Sequence, residues 1–330
     1  MGKLRKLRKS IKYSLLIGLI RFLLLIVKMM PWKWTSYFCD RLGLLAFYLL
    51  KKERLKTISN LTIAYGAEKN EREIHAMSRE VFTNFGRAAA ELAIKLNMDD
   101  KDRYFSNLEL VNREYADAAY ARGKGIINLV PHMGCWEAMP RAFILSGFDA
   151  GTVVQTLRNE KINDWVVKNR EFKGFKVLPR GSTYKTILHF LKQNNSLGML
   201  IDQDTKVKSV FVDFYGKPAY TPIGAAMLAL DSDATVFTTS YVRSEGNKFQ
   251  LIFGPPLEIT RTGDRQEDLR INTERFHKEV EKMIKKYPTQ WVWMHERWKT
   301  TPEIAEARER EKQELRKKRR EERLKANTPS

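Results

Sequence analysis

Residues 125–137 read GIINLVPHMGCWE, a short apolar segment that leads through a glycine-containing loop into a predicted helix. Its strand is expected at 126–130 and its helix at 136–147. The same alternation of short apolar runs and amphipathic stretches continues along the chain. Further strands are predicted at 152–156, 176–178, 197–201, 235–242 and 249–253, and further helices at 160–172, 182–194, 222–230 and 266–286. The pattern predicts an α/β fold with a mostly parallel central sheet flanked by helices.

The composition is that of a folded, basic protein. Of 330 residues, 43% are hydrophobic, which provides a sizeable core and excludes a wholly disordered or fibrous chain. Two more amphipathic helices are predicted before the α/β region, at 36–51 and 71–98. Cys39 and Cys135 are the only cysteines, too few for a disulfide framework or a thiolate zinc cluster. A reducing location is therefore expected.

The net charge of +20 is concentrated near the N-terminus. Residues 1–60 contain 14 Lys or Arg and 2 Asp or Glu. Cations beside an apolar segment favour an anionic membrane surface over nucleic acid, whose binding proteins spread their cations over a folded face. We therefore divide the chain into a basic N-terminus and membrane anchor at 1–34, a main domain at 35–300, and a charged tail at 301–330 that is either helical or disordered.

The predicted anchor is the apolar run from Tyr13 to Met30, which six cations precede. Its 11 Leu, Ile, Phe and Val residues favour membrane insertion by about 3–7 kcal/mol in total. Arg21 opposes insertion by about 2.5–3.5 kcal/mol, whereas Lys28 can extend its ammonium group to the interface. Three aromatic residues follow as interfacial anchors: Trp32, Trp34 and Tyr37. These contributions predict tight membrane association and leave open whether the segment spans the bilayer or lies along it.

The loop after the first strand carries a candidate catalytic pair. His132 lies in the loop and Glu137 lies in the first turn of the predicted helix, so their side chains can meet without sharing a helix face. A neutral imidazole accepts a proton at physiological pH, which makes His132 a candidate general base. Glu137 would fix the tautomer of the ring and stabilise the imidazolium.

Other residues have plainer interpretations. His277 lies in a helical pattern and is predicted to be structural or exposed. Trp291 belongs to a C-terminal aromatic group that is more simply core than the lining of a groove.

Short blocks follow the His-x4-Glu spacing in a fixed order: LRN (157–159), LPRG (178–181), LIDQD (200–204), FVDFYGKPA (211–219), PTQWVW (288–293) and RWK (297–299). With HMGCWE, they resemble the lipid A biosynthesis (lauroyl/myristoyl) acyltransferase family, within the wider membrane acyltransferases that carry a His-x4-Asp/Glu motif. The resemblance covers about 105–300 and the N-terminal anchor. Cys135 departs from the small polar residue, often Asn, that the family commonly carries there.

The resemblance implies a glycerolphosphate-acyltransferase-like fold and a membrane-associated O-acyltransferase at the cytoplasmic face of a bacterial inner membrane. The implied donor is a fatty acyl thioester on acyl carrier protein or CoA. The implied acceptor is a hydroxyl of an anionic, Kdo-bearing lipid A precursor, and neither a cofactor nor a metal is implied. Arg158 and Arg180 would bind phosphate or carboxylate groups of the acceptor, with Asp202 and Asp204 shaping the site by pairing with these arginines.

Three alternatives remain open at this point. Cys135 would allow a mechanism in which the acyl group is first transferred to the enzyme as a thioester, although free cysteines are usually buried. Another acceptor, such as a phosphatidylinositol mannoside, would use acyl-CoA as donor. A third alternative is a non-catalytic protein that binds anionic membranes through its basic N-terminus.

Overall fold

The computed structural model describes most of the chain from residue 30 to residue 311. The described residues are 18, 26, 30–96, 98–155, 159–179, 184–245, 248–311 and 313–314. Only three residues of the predicted anchor are among the described residues. The cations before the anchor and most of the tail after residue 311 lie outside the described ranges. Within those described ranges, no helix combines the length and hydropathy needed to cross a membrane.

The described chain begins with helices and continues as alternating strands and helices. The helices are α1 (Trp32–Leu49), α2 (Lys51–Tyr65), α3 (Glu71–Lys95), α4 (Lys101–Phe105), α5 (Arg113–Ala121), α6 (Met139–Leu145), α7 (Glu160–Arg170), α8 (Tyr184–Lys192), α9 (Gly224–Asp231) and α10 (Arg265–Lys286). The strands are β1 (Leu108–Val111), β2 (Ile126–Leu129), β3 (Ala150–Val154), β4 (Lys176–Pro179), β5 (Ser196–Met199), β6 (Ser209–Phe214), β7 (Lys217–Pro222), β8 (Thr235–Arg243) and β9 (Phe249–Phe253). Short 3₁₀ turns lie at Trp136–Ala138 and Pro288–Gln290, and residues 302–311 are helical.

The central sheet has seven strands in the order β1-β9-β8-β2-β5-β3-β4. Every neighbouring pair is parallel except β8 and β9, which are antiparallel. The predicted α/β fold with a mostly parallel sheet is therefore confirmed. In register, β2 pairs with β5 from Ile126 opposite Ser196 to Leu129 opposite Met199. Because parallel neighbours end at the same edge, the loops after β2 and β5 meet there, which is where open α/β sheets place their sites.

Several elements differ from the sequence prediction, among them α2, α4, α5, β6 and β7, which were not predicted. The helix expected at 222–230 begins only at Gly224, because Lys217–Pro222 forms β7 and pairs antiparallel with β6, with Pro222 opposite Ser209. The described chain also forms β1, a short parallel partner of β9 that the sequence analysis did not predict.

Helices cover both faces of the sheet and bury two apolar clusters against it. One cluster includes Ile127, Phe276 and Trp291, and the other includes Phe143 and Phe253, all nearly inaccessible to solvent. Burial of such a side chain stabilises the fold by about 1.5–3 kcal/mol. The sheet and its loops are therefore held rigidly on both sides, which fixes the edge where β2 and β5 end.

Helix α3 connects the sheet to the N-terminal helices. Its start is fixed by a capping box, in which the Asn70 side chain accepts from the Glu73 backbone N–H at 3.1 Å and the Glu73 carboxylate accepts from the Asn70 N–H at 2.9 Å. Helix α1 crosses α3 with the two backbones in close contact. A side chain at Gly43 would collide with the Phe82 carbonyl, and one at Gly86 with the Cys39 carbonyl. The two glycines thus permit a tight crossing that leaves the far side of α1 facing outward.

Candidate active site

His132 lies in the loop that follows β2, and the C-terminal segment holds that loop in place. The carbonyl of His132 accepts from the Val292 N–H at 3.0 Å, and the Gly134 N–H donates to the Gln290 carbonyl at 2.9 Å. Gly134 has φ +56°, and a Cβ there would collide with the Tyr241 carbonyl, so only glycine fits. The backbone of the loop is therefore fixed by contacts on two sides.

The imidazole of His132 pairs with Asp202, which follows β5 at the same edge of the sheet. The ring Nδ1 lies 2.7 Å from Oδ1 of Asp202, while Oδ2 accepts from the His132 backbone N–H and from the Trp291 indole N–H, each also at 2.7 Å. Asp202 is fully buried. Three donors in a dry environment therefore surround this carboxylate.

The electrostatics of this pair define the tautomer of the ring. Burial by itself raises the pKa of Asp202, but the facing His132 and the hydrogen bonds from His132 and Trp291 together hold that pKa well below its usual range. A carboxylate only accepts hydrogen bonds, so Nδ1 of His132 carries the proton and Nε2 presents its lone pair. Within the described ranges, no hydrogen-bond partner occupies Nε2. This arrangement suits a general base.

The carboxylate partner of His132 is therefore Asp202, whereas the sequence analysis expected Glu137 in this role. Glu137 lies in the 3₁₀ turn Trp136–Ala138 and faces α7, where it accepts from Arg170 Nε at 2.9 Å and from Arg170 Nη2 at 2.5 Å. The Trp136 indole N–H also donates to it at 3.2 Å. The turn directs the Glu137 side chain toward α7, so the orienting role predicted for Glu137 falls to Asp202.

A cavity of about 620 Å³ opens beside the His132 ring. Its lining is largely apolar and includes side chains from α3, β2, α6 and β3: Leu92, Leu96, Val130, Met139, Phe143 and Val153. His132, Glu137, Arg170 and Gln203 supply polar groups to the same cavity. A largely apolar space of this volume with a histidine in its wall can hold an alkyl chain next to a reacting hydroxyl.

Asp204 lies close to the site but points into the protein. Its Oδ2 accepts from the Thr300 N–H at 2.9 Å, and its carbonyl accepts from Lys299 Nζ at 2.8 Å. Neither Asp202 nor Asp204 lines the cavity, and both are buried. The sequence analysis expected these two carboxylates to pair with arginines; among the described residues, Asp202 contacts His132 and Asp204 contacts Thr300. Arg158 and Arg180, their predicted partners, lie outside the described residues.

Cys135 is buried, as the sequence analysis favoured. Its Sγ lies 3.6 Å from the Ala88 carbonyl and is absent from the cavity lining. Burial raises the pKa of this thiol well above its ordinary value. The thiolate that an acyl-enzyme would require is therefore disfavoured, and the sulfur faces α3 instead of the cavity.

Two residues that support the site were not identified as such from the sequence. Trp291 was interpreted as a core aromatic, yet its N–H donates to Asp202. Arg297 is fully buried, donates to the Tyr220 carbonyl at 2.9 Å and lies 3.0 Å from Nε2 of His277. Burial lowers the pKa of Arg297 to about 10, and burial beside Arg297 lowers the pKa of His277 well below its ordinary value. In the sequence, Trp291 and Arg297 were marked only by their positions in the blocks PTQWVW and RWK.

The chain is similar in sequence to a described family and to several named proteins. The profile of the family described as bacterial lipid A biosynthesis acyltransferase matches residues 1–300. A phosphatidylinositol mannoside acyltransferase of Mycobacterium tuberculosis is 27% identical over 190 residues, which are 56% of this chain and 58% of that protein. The lipid A biosynthesis lauroyltransferase of Escherichia coli is 26% identical over 265 residues, 79% of this chain and 84% of that enzyme. A lipid A biosynthesis acyltransferase of Haemophilus influenzae is 23% identical over 278 residues, 83% of this chain and 84% of that enzyme.

The match to the mycobacterial relative therefore spans little more than half of its length, whereas the matches to the two lipid A enzymes are nearly complete. The family profile covers most of the chain, including the His132 loop, the Asp202 block and the C-terminal tryptophans. The chain thus belongs to the bacterial lipid A biosynthesis acyltransferase family.

Proposed function

We propose that this protein is a membrane-associated O-acyltransferase that moves a fatty acyl chain from an acyl thioester to a hydroxyl of a glycolipid. The observation that carries the proposal is the His132–Asp202 pair, which presents Nε2 of His132 beside a large apolar cavity. Family membership supports the same reaction class.

In the proposed mechanism, Nε2 of His132 takes the proton of the acceptor hydroxyl while the oxygen attacks the thioester carbonyl. The carbon–sulfur bond of the resulting tetrahedral intermediate then breaks, and the imidazolium returns the proton to the leaving thiolate. Asp202 stabilises the imidazolium throughout. Such a base contributes about 10²–10⁴-fold to the rate, and holding two lipids together and stabilising the oxyanion supply the remainder. The step requires no cofactor.

Glu137 has a supporting role in this proposal. Its carboxylate and the Arg170 guanidinium form a partly exposed pair in the cavity wall. The pair fixes the 3₁₀ turn that carries Trp136, and the Trp136 ring lies 5.4 Å from the His132 ring, centre to centre. Glu137 therefore shapes the space beside the base without contacting the imidazole nitrogens.

The proposed acceptor is a Kdo-bearing lipid A precursor, and the proposed donor is acyl carrier protein. Lipid A enzymes from Escherichia coli and Haemophilus influenzae align over about four-fifths of this chain, which supports the acceptor. The net charge of +20 suits an acidic carrier protein and an acceptor with phosphate and carboxylate groups. Arg158 and Arg180 remain proposed ligands of those groups.

We place the protein at a bacterial inner membrane with the His132 cavity accessible from the cytoplasm. The cations before residue 13 favour a cytoplasmic N-terminus. Residues 1–34 would serve as the anchor, 35–300 as the acyltransferase domain and 301–330 as a charged tail.

A second candidate function is acylation of a phosphatidylinositol mannoside with acyl-CoA as donor. It is favoured by the mycobacterial relatives, which bear that name and are 27% identical over their shared region.

Purified full-length protein in detergent distinguishes these functions. Each acceptor, the Kdo-bearing lipid A precursor or the phosphatidylinositol mannoside, is offered with acyl carrier protein or CoA carrying the same chain, and the products are resolved by mass spectrometry. We expect transfer to the lipid A precursor from acyl carrier protein, and transfer by His132→Ala that is at least about 100-fold slower. If acyl chains were transferred only to the phosphatidylinositol mannoside, that lipid would be the acceptor in place of the lipid A precursor. If no acyl chain were transferred to either acceptor, the alternative of a non-catalytic membrane-binding protein would be favoured.

A further inference from the structure

The outward side of α1 carries an apolar surface that no described residue covers. We define the α1 face as Trp34, Phe38, Leu42, Leu45 and Leu49, spaced three or four residues apart along one side of the helix. Each side chain of the α1 face is 45–70% exposed. Tyr37 and Tyr48 are also more than half exposed and lie on neighbouring turns. Contiguous exposed apolar patches are uncommon on soluble domains and mark interaction surfaces.

The exposed charged side chains of residues 31–52 are all cationic, and the next acidic residue, Glu53, is partly exposed and pairs with Lys56. Lys33, Arg41, Lys51 and Lys52 are exposed at the ends and flank of the α1 face. Asp40, the one acidic residue of α1, is partly buried and forms a bidentate pair with Arg87 of α3. Between residues 31 and 52, no described acidic side chain is exposed. Tryptophan, tyrosine and lysine around an aliphatic strip match the composition of helices that lie in a bilayer interface.

Helix α3 links α1 to the cavity. Helix α1 crosses α3 at Gly43 and Gly86, and the preceding residue of α3, Phe85, is 47% exposed. The Phe85 ring lies 6.5 Å from the Trp136 ring, which in turn lies 5.4 Å from His132, all measured between ring centres. Leu92 and Leu96 continue the same helix side into the cavity lining. Apolar groups therefore lie along α3 between its crossing with α1 and the site.

We propose that the α1 face docks the folded domain onto an anionic lipid bilayer, in addition to the apolar segment from Tyr13 to Met30, and so places the cavity at the depth of lipid acyl chains. The inference deepens the proposed function, on which its membrane setting rests. A second copy of this chain fits less well, because two such faces packed together would bring their cations into contact. The anionic leaflet instead neutralises those cations while its hydrocarbon receives Leu45 and Leu49.

Depth-dependent fluorescence quenching tests this proposal on the full-length protein. A bimane label is placed at Leu45→Cys, in the α1 face, or at Asp233→Cys, an exposed control position before β8 at the opposite edge of the sheet from His132. Cys39 and Cys135 are buried, and unmodified protein carried through labelling gives the blank. Vesicles contain phosphatidylcholine and phosphatidylglycerol in equal parts, with or without a nitroxide lipid labelled at the upper acyl chain.

We expect the nitroxide to lower the Leu45 fluorescence about twofold, since an interfacial helix buries its apolar face to this depth, and to leave the Asp233 fluorescence unchanged. Replacement of phosphatidylglycerol by phosphatidylcholine should weaken the Leu45 quenching. Equal quenching at the two positions would overturn the proposal. It would also be overturned if the protein were dimeric and the label at position 45 were shielded from water in the absence of vesicles, because a second copy would then cover the α1 face. The fluorescence signal does not depend on acyl transfer. A protein that docks on the bilayer but lacks activity is therefore distinguished from one that is active but does not dock through the α1 face.

Discussion

Substitution of Asp202 by Asn separates the pairing observed in the structure from the pairing expected from the sequence. Asp202 accepts at 2.7 Å from each of three donors, two of which share Oδ2. An asparagine oxygen can keep the donors at the Oδ2 position, the His132 backbone and Trp291. Its NH₂ group then faces Nδ1 of His132, which must become the acceptor, so the ring proton moves to Nε2. The base is thereby blocked although the site keeps its shape.

The expected loss follows from the same geometry. A wrong imidazole tautomer lowers kcat by about 10⁴-fold in the comparable triad, which corresponds to about 5.5 kcal/mol of transition-state stabilisation. The assay is the initial rate of acyl transfer at saturating donor and acceptor, with the thermal unfolding midpoint as a check that the variant is folded.

Glu137→Gln provides the matched control. Glu137 pairs with Arg170, and both side chains are partly exposed, so loss of that charge should lower kcat by less than about tenfold. If Glu137→Gln lost as much activity as Asp202→Asn while both remained folded, our assignment of the orienting carboxylate would be refuted. An Asp202→Asn rate within tenfold of the unmodified protein would refute it equally.

The remaining predictions use other contacts. Trp291→Phe keeps the ring but removes one donor to Asp202, so kcat should fall about tenfold with KM unchanged, the size expected for one hydrogen bond to a buried charge; an unchanged kcat would deny Trp291 a positioning role. Cys135→Ser should retain transfer activity within a few-fold, because the thiol is buried away from the cavity; loss as complete as in His132→Ala would restore the acyl-enzyme. The pKa of His277 is lowered in the folded protein, so below about pH 6.5 the unfolded chain binds a proton that the folded chain does not. The free energy of unfolding should therefore decrease by at most about 1.4 kcal/mol per pH unit as the pH falls, and urea unfolding at pH 7 and 5.5 should show a smaller decrease for His277→Gln.

Much of the sheet could be predicted from the sequence because its strands are short, apolar and separated by turn residues. Strand β9 matches the predicted range, and β2 ends one residue earlier than expected. The hairpin of β6 and β7 was not predicted, since proline within a segment argues against a strand and Pro222 was assigned to the start of the helix at 222–230. Both prolines lie instead in a two-stranded sheet outside the main one.

The site was only partly predictable for a physical reason. His132 was identified because a histidine in a strand–turn–helix loop carries its own local signal. Its partner Asp202 is 70 positions away, and β3 and β4 lie between β2 and β5 in the chain. Only the order of strands in the sheet brings β2 and β5 together. Glu137 was chosen as the nearest carboxylate along the sequence, and the geometry of the 3₁₀ turn that directs it to Arg170 is not encoded in the spacing.

The central claim, that His132 deprotonates the acceptor hydroxyl, is tested most directly by the single-turnover rate of His132→Ala. Equal amounts of folded, membrane-bound variant and unmodified protein receive a carrier-bound acyl chain and the Kdo-bearing precursor, and product formation is followed by mass spectrometry. We predict a rate at least about 100-fold lower for the variant, the smallest effect expected on removal of a general base. A rate equal to that of the unmodified protein would contradict the claim.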